Sequence, residues 1–321
     1  MASERASENW ELGGHGDPWN SADEVPLSRR QGANQQNRTV PGSQSPGDSI
    51  ADPSSQTDSE RNPDKYLLEL VDIEAGYGRA ALVLRGLTVR VPPASVVCLV
   101  GPNGAGKSTV LKVASGMLTP RSGRVLVGDQ DVTGRGPQRM LEAGLSHVLQ
   151  GHSVFKEMAV SENVLLGAYT MKDKSEIADR VDFVKSLFPV VAQRWSSLAG
   201  ALSGGQQKQV EFARSLMVSP RVVLLDEPSM GLDPKATATV FEQVARMRDA
   251  GTAVLLVEQN ARRALETADL GCVLDLGRVH IAGPAADLLA DPQLADLYLG
   301  NRRAAGESTP PAGSTATNST P

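Results

Sequence analysis

The sequence predicts an α/β fold in which a mostly parallel sheet is covered by helices on both faces. Three observations lead to this class. Short runs such as VVCLV, VVLLD and AVLLV, which are apolar except for the final Asp226 of the second, have the pattern of buried strands. The segments between several of these runs carry apolar residues at helical spacing. A glycine-rich loop joins the first run to a helix. Buried strands that alternate with helices are typical of parallel sheets.

The predicted elements begin with two strand-like runs, YLLELVDIEA (66–75) and ALVLRGLTVRV (81–91), which suggest a small antiparallel layer. The buried strand VVCLV (96–100) follows. The next segment is predicted to be a helix from the spacing of its apolar residues, which are Val110, Leu111, Ala114, Met117 and Leu118.

Three further buried strands are predicted at 222–226, 253–257 and 271–275. A helix between the first two is predicted from apolar residues at helical spacing, which are Val240, Phe241, Val244 and Met247. Residues 151–218 break the alternation, because they have helical periodicity and no continuous β run. We interpret them as a helical insertion into the α/β body.

Both ends of the chain differ in composition from the body at 65–300. Residues 1–64 and 301–321 are rich in Ser, Gly, Pro and polar residues, so we expect both to be disordered. No run approaches the roughly 18–20 apolar residues that cross a bilayer, and no secretory signal is apparent. We therefore expect a cytoplasmic protein that reaches the membrane only through a partner.

Charge and cysteine content exclude several classes of protein. The net charge of −5 argues against a protein that coats nucleic acid. The two cysteines, Cys98 and Cys272, each lie inside an apolar run. Buried free thiols fit this placement better than a disulfide or a metal pair, and no zinc site is predicted.

The loop GPNGAGKST (101–109) has the GxxxxGK[ST] pattern of a P-loop, between a strand and a helix as that pattern requires. Its glycines let backbone amides wrap around phosphates at the helix N-terminus. Lys107 is expected to reach the β- and γ-phosphates, and Ser108 to bind Mg²⁺. The predicted nucleotide-binding residues of this loop are Gly101, Pro102, Asn103, Gly104, Ala105, Gly106, Lys107, Ser108 and Thr109.

Two acidic residues follow the strand in RVVLLDEP (221–228). Asp226 is at the carboxyl end of the strand, where open α/β sheets bind ligands, and its carboxylate can hold Mg²⁺ or the water around it. Glu227 is placed to polarise an attacking water as a general base.

The segment ALSGGQQKQ (201–209) predicts a helix capped by Ser203, with two glycines in its first turn. Glycines there cost helix stability, which suggests that the backbone must approach a phosphate closely. At this point the chain resembles the ATP-binding cassette (ABC) ATPases, whose signature sequence LSGGQ (202–206) matches. The resemblance implies a P-loop NTPase core with a small antiparallel β subdomain and an inserted helical subdomain.

The resemblance to the ABC ATPases also assigns roles to other residues. It implies that Ser203 and Gly205 contact the ATP of a second subunit, so that two cassettes enclose two ATPs. Tyr77 matches the aromatic residue that stacks on adenine. Gln150 matches the glutamine that senses Mg²⁺ and the water. Residues 231–233 match the loop that crosses the dimer interface.

Gln259 is a departure from the family pattern. It follows the apolar strand of VLLVEQN (254–260), where most cassettes have a histidine that hydrogen-bonds the γ-phosphate. A glutamine amide can donate a hydrogen bond but carries no charge. Either Gln259 is an adequate catalytic donor beside Glu227, or this site is slow and a partner's site does most of the turnover.

The segments 149–169, 255–269 and 295–302 resemble the second ATPase of branched-chain amino-acid importers. This implies a second ATPase subunit or a copy of the chain, two permease subunits and an extracytoplasmic solute-binding protein as partners, and no nucleic acid. Urea, short amides or another small solute remain alternatives. A cassette acting on ribosomes or DNA is a different class, disfavoured by the single P-loop and the lack of heptads.

An apolar segment follows Gln150, with residues that either line a groove for a permease helix or belong to the core of the helical insertion. They are Val154, Phe155, Met158, Val160, Leu165 and Leu166.

Overall fold

The computed structural model describes residues 65–78, 81–151 and 153–291. The strands in chain order are β1 (Leu68–Ala75), β2 (Leu84–Val91), β3 (Val96–Val100), β4 (Ser122–Val127), β5 (Gln130–Asp131), β6 (Leu145–Val148), β7 (Val222–Asp226), β8 (Ala253–Val257), β9 (Leu270–Asp275) and β10 (Arg278–Pro284). The predicted disorder of both ends and the last part of the predicted body, 292–300, lie outside the described residues.

Nine α-helices lie within the described residues. In chain order they are α1 (Lys107–Ala114), α2 (Pro137–Glu142), α3 (Val160–Leu165), α4 (Lys174–Leu187), α5 (Pro189–Gln193), α6 (Gly204–Leu216), α7 (Pro234–Asp249), α8 (Ala261–Thr267) and α9 (Ala285–Ala290), with short 3₁₀ turns at Leu166–Ala168 and Ala199–Ala201. None of these helices is both long and apolar enough to cross a bilayer.

The central sheet has six strands in the order β10-β9-β3-β8-β7-β6. All are parallel except β10, which pairs antiparallel with β9. Every residue of β3, β7 and β8 is buried, because helices or the second sheet cover both faces. The predicted α/β class with a mostly parallel sheet is confirmed.

The carboxyl ends of three neighbouring strands meet at one edge of this sheet. Leu99 of β3 and Asp226 of β7 both pair with Val257 at the end of β8. The chain leaves these strands into the P-loop, the DEP segment and the EQN segment. Residues far apart in the sequence are therefore brought to one edge, which is where open α/β sheets bind ligands.

A second sheet is antiparallel, in the order β2-β1-β4-β5. The predicted antiparallel pairing of β1 with β2 is confirmed. One apolar core lies between this sheet, α1 and one face of the central sheet, and a second lies between the other face and the helices of 160–267. Cys98 and Cys272 are free and buried, and they belong to different cores.

The helix after the P-loop is shorter than the sequence predicts. Met117 and Leu118 were expected in it, but α1 ends at Ala114 and Met117 is exposed. Gly116 has a φ of 72° and its N–H donates to the carbonyl of Val113. This left-handed turn ends the helix, so the prediction for these two residues is wrong.

Within the described part of 151–218, the chain forms α3 to α6, and its only β contact is a bridge between Ala159 and Leu198. Of the six apolar residues after Gln150, Val154 and Val160 are buried in the core. Phe155, Leu165 and Leu166 are exposed, and Met158 is half-buried.

Candidate functional site

The P-loop connects β3 to α1 through three glycines with positive φ. The φ values are 151° at Gly101, 84° at Gly104 and 107° at Gly106. A Cβ on Gly101 would lie 2.1 Å from the carbonyl oxygen of Leu274, so close packing also requires a glycine there. Gly106 is the N-cap of α1 and provides no side-chain hydrogen bond. The first amides of α1 therefore have no capping side chain, as an anion site needs.

Lys107 is buried and folds back on its own loop. Its Nζ donates to the carbonyl oxygens of Gly101 at 2.8 Å and Pro102 at 3.1 Å. Burial lowers the pKa of Lys107, while the charges of Glu227 and Asp226 oppose this shift. A phosphate in the loop would give the ammonium group a stronger, charge-assisted partner.

Ser108 and Asp226 provide oxygen atoms of the kind that Mg²⁺ prefers. The Ser108 hydroxyl donates to Asp226 Oδ1 at 3.4 Å. Burial raises the pKa of Asp226, and the negative charge of Glu227 raises it further. A bound cation would favour the charged carboxylate and so oppose this rise in pKa. The described residues contain no group of three or more His, Cys, Asp or Glu side chains that could hold a metal ion.

Glu227 lies beside Asp226 in a strained backbone conformation, with a φ of 45°. Its N–H donates to the carbonyl of Val257 at 2.9 Å, which ties it to β8. Gln150, which follows β6, donates through Nε2 to Glu227 Oε2 at 2.9 Å. The structure thus brings together two predicted site residues that are 77 positions apart in the chain.

Glu258 has a structural role that the sequence analysis did not assign. It is only 2% exposed. Its carboxylate accepts hydrogen bonds from the N–H and hydroxyl of Ser229, both at 2.9 Å, and from the N–H of Gln259 at 3.2 Å. Burial raises the pKa of Glu258. The sequence contained a signal for this residue, because Glu258 directly follows a buried strand, as Glu227 does.

Glu258 connects the loop after Glu227 to the loop that carries Gln259. The side chain of Gln259 is exposed at the carboxyl end of β8, on the same sheet edge as Asp226. The predicted hydrogen bond from Gln259 to a γ-phosphate stays a prediction.

Tyr77 follows β1 and lies against α1. Its hydroxyl is 3.4 Å from Thr109 Oγ1, and Lys112 Nζ is 3.2 Å from the same hydroxyl. The hydrogen bond with Thr109 lowers the pKa of Tyr77. Tyr77 is 47% exposed, and Lys112 Nζ lies 5.3 Å from the centre of its ring.

The LSGGQ segment forms the start of α6. Ser203 is the N-cap: its hydroxyl accepts from the N–H of Gln206 at 3.4 Å, and the Gln206 side chain accepts from the N–H of Ser203 at 3.1 Å. A Cβ on Gly205 would lie 2.9 Å from the Cβ of Ala236 on α7. Helix packing therefore gives this glycine a structural reason in addition to the predicted approach to phosphate.

The predicted interface loop, 231–233, lies between β7 and α7. Gly231 has a φ of 76°. Asp233 is the N-cap of α7 and accepts from the N–H groups of Lys235 and Ala236. In the described residues, no hydrogen bond connects this loop or residues 202–206 with residues 101–109.

Comparisons with known proteins agree with this geometry. The family model described as "ABC transporter" matches residues 84–230. The high-affinity branched-chain amino acid transport ATP-binding protein BraG of Pseudomonas aeruginosa is 36% identical over 234 residues, which are 73% of this chain and 100% of that protein.

The chain belongs to the ABC transporter family. A probable branched-chain amino acid transport ATP-binding protein LivF of Archaeoglobus fulgidus is 35% identical over 235 residues, 73% of this chain and 99% of that protein. The lipopolysaccharide export ATP-binding protein LptB of Acidithiobacillus ferridurans is 33% identical over 225 residues, 70% of this chain and 93% of that protein.

A solved structure of the ADP conformation of an ATP-binding cassette of an ABC transporter has a TM-score of 0.66 and 27% identity, and covers 73% of this chain and 99% of that chain. The resemblance to ABC ATPases and the P-loop NTPase fold are therefore confirmed. As a member of this family, the chain is an ATP-hydrolysing subunit of a transporter.

Proposed function

We propose that the chain is the ATPase subunit of an importer for branched-chain amino acids. The observation that carries this proposal is the match to two ATP-binding proteins of branched-chain amino acid transport, at 36% and 35% identity and over 100% and 99% of their lengths. Lipopolysaccharide export is the second candidate, because the relative from that system is 33% identical over 93% of its length.

In this proposal, the nucleotide lies along the N-terminus of α1. The P-loop amides and Lys107 bind its phosphates, and the exposed ring of Tyr77 stacks on the base. Ser108 and Asp226 hold Mg²⁺, as their 3.4 Å contact supports. Ser203 and Gly205 contact the ATP of a companion ATPase subunit or a second copy of this chain, so that ATP draws two cassettes together.

Hydrolysis, in this proposal, depends on residues that follow β6, β7 and β8. Glu227 accepts a proton from the attacking water, and Gln150 fixes the carboxylate of Glu227 by its hydrogen bond. Gln259 donates a neutral hydrogen bond to the γ-phosphate. Loss of the γ-phosphate removes contacts between the cassettes, which shifts the population toward separated subunits.

The proposed permease surface consists of Phe155, Leu165 and Leu166, which are 54%, 42% and 39% exposed. We expect Phe155→Asp to abolish solute uptake while MgATP binding is retained, because a charge would disrupt an apolar contact with the permease. Leu276→Asp is the matched control, since Leu276 is 71% exposed on the β9–β10 turn. Loss of nucleotide binding in the Phe155 variant would indicate damage to the helical core instead.

The substrate is tested by deleting the gene and measuring uptake of labelled leucine, isoleucine and valine, with complementation by the wild-type chain and by its Glu227→Gln variant. We expect uptake to depend on the intact chain. We also expect the chain to purify from the cytoplasmic face of the membrane with two permeases and with a companion ATPase or a second copy of itself, and uptake to require an extracytoplasmic solute-binding protein. Normal amino-acid uptake together with a defect in lipopolysaccharide export would favour the second candidate.

A further inference from the structure

A buried ion pair lies on α6, the helix that begins after Ser203. Lys208 Nζ and Glu211 Oε2 are 2.6 Å apart, and their side chains are 2% and 0% exposed. Removing two charges from water is unfavourable unless further hydrogen bonds satisfy them. The other contacts of this pair therefore indicate what it does.

Both charged groups bind the backbone that follows Gln150. Lys208 Nζ donates to the carbonyl oxygen of Gly151 at 2.5 Å, and Glu211 Oε1 accepts from the N–H of Ser153 at 2.5 Å. One helical turn further, Arg214 donates to the carbonyl oxygen of Ser153 at 3.0 Å and to its hydroxyl. Three side chains on successive turns of α6 thus hold this short backbone segment.

Gln150 directly precedes Gly151 in the chain. Its side-chain amide donates a hydrogen bond to the carboxylate of Glu227. Gly151 has a φ of 90°, and a Cβ placed there would have no neighbour within 4 Å. Gly151 has no side chain of its own to fix this backbone. The hydrogen bond from Lys208 to the Gly151 carbonyl therefore restrains the chain one residue after Gln150.

We infer that Lys208 and Glu211 are positioning residues that hold Gln150 against Glu227 and tie Gln150 to the helix that begins after Ser203. The inference rests on the proposed roles of Gln150 and Glu227 and deepens them. Ser203 is proposed to touch the ATP of a partner cassette, whereas Gln150 belongs to the chain's own site.

The test compares ATP turnover of the full chain, assembled with its transporter subunits, in four forms. These are the wild type, Lys208→Met/Glu211→Leu, Gln150→Ala and the triple variant. The paired apolar replacement removes both charges of the ion pair together, and Arg214 keeps its hydrogen bonds to Ser153, so the fold is expected to survive. We expect kcat of the double variant to fall roughly tenfold, because misplaced catalytic groups lose rate, while KM for MgATP changes less than about twofold.

A conservative variant, Lys208→Met/Glu211→Gln, keeps an acceptor for the N–H of Ser153 and should recover part of the lost kcat. In the Gln150→Ala background, the paired replacement should lower kcat by less than about a further twofold. The reason is that the effects of residues acting as a unit are not additive. Fully additive losses would overturn the inference and leave the proposed function standing.

Arg180→Met is the matched control for the stability of α6. Arg180 on α4 donates to the carbonyl oxygen of Leu216 at 2.6 Å, at the end of α6 away from Gly151. We expect kcat to be unchanged in this variant, and an equal loss there would overturn the inference. If Gln150→Ala itself leaves kcat unchanged, the proposed role of Gln150 and the inference both fail.

Discussion

Two helices of this chain begin at glycine-rich segments, and their N-termini are built differently. At α1, Gly106 is the N-cap with a φ of 107° and provides no side-chain cap. At α6, Ser203 and Gln206 form a reciprocal capping box. Neither Gly204 nor Gly205 has a positive φ, and Gly205 is required by its packing against Ala236. Similar sequence patterns therefore have different physical causes.

This difference indicates which helix end binds the chain's own nucleotide. The amides of α1 are left for an anion, and Lys107 is beside them. At the start of α6, the N–H of Gln206 is already bound by the Ser203 hydroxyl, and this hydroxyl can still donate its own proton. A second contact at Ser203 is thus an addition to a stable cap and suits a nucleotide bound by another subunit.

The largest expected effect is a loss of ATP turnover at the proposed nucleotide site beside α1. Glu227→Gln should lower kcat about 100- to 10,000-fold, because a glutamine cannot accept the proton of the attacking water. MgATP binding should be retained, and ATP should hold the cassettes together longer. Steady-state ATPase assays and size-exclusion chromatography with MgATP measure both results. Unchanged turnover would mean that Glu227 is not the general base. The start of α1 could then no longer be distinguished from the start of α6 by catalysis.

Lys107→Ala should weaken MgATP binding to the isolated chain about 100-fold, because hydrogen bonds from a charged donor to the phosphates are lost. Equilibrium titration with a fluorescent ATP analogue measures the effect. Ser203→Ala is the control, and its affinity in the isolated chain should equal that of the wild type. Equal losses in both variants would mean that the two helix ends bind the same nucleotide.

The sequence predicts the start of α1 better than it predicts the start of α6. The P-loop has a pattern tied to one conformation. β3, β7 and β8 are apolar except for Asp226 at the end of β7, so their burial and parallel pairing follow from the sequence. The contact between Gly205 and Ala236 depends on how α6 packs against α7, which no local pattern encodes. Gly116 shows the same limit, because the apolar spacing continues past the turn that ends α1.

Other elements were missed because their sequences carry little signal. β6 is LSHV, a four-residue edge strand whose serine and histidine break the apolar run. β5 has two residues, both polar, and is held by its pairing with β4. The contact of Gln150 with Glu227 joins two loops across the sheet, so it follows from the strand order and not from spacing. Tertiary pairing decided each of these cases.

Gly205→Ala should destabilise the chain by about 1–3 kcal/mol, because the new methyl group would lie 2.9 Å from the Cβ of Ala236. Urea unfolding measures the change in the free energy of unfolding. In an Ala236→Gly background the same substitution should cost much less, since the clashing atom is gone. An equal cost in both backgrounds would show that helix packing is not the reason for this glycine.

The smallest effect is expected for the cap of α6. Ser203→Ala removes one cap hydrogen bond, so we expect a loss of about 1 kcal/mol of stability and a melting temperature roughly 2–4 °C lower. Ser203→Thr keeps the hydroxyl and should retain most of the stability.

Asp173→Ala is the matched control, because Asp173 caps α4 and belongs to no proposed site. Both alanine variants should melt earlier, but only Ser203→Ala should weaken the association of two cassettes driven by ATP. If the Asp173 variant weakens that association equally, the Ser203 hydroxyl acts only as a cap and the proposed contact with a partner's nucleotide is wrong.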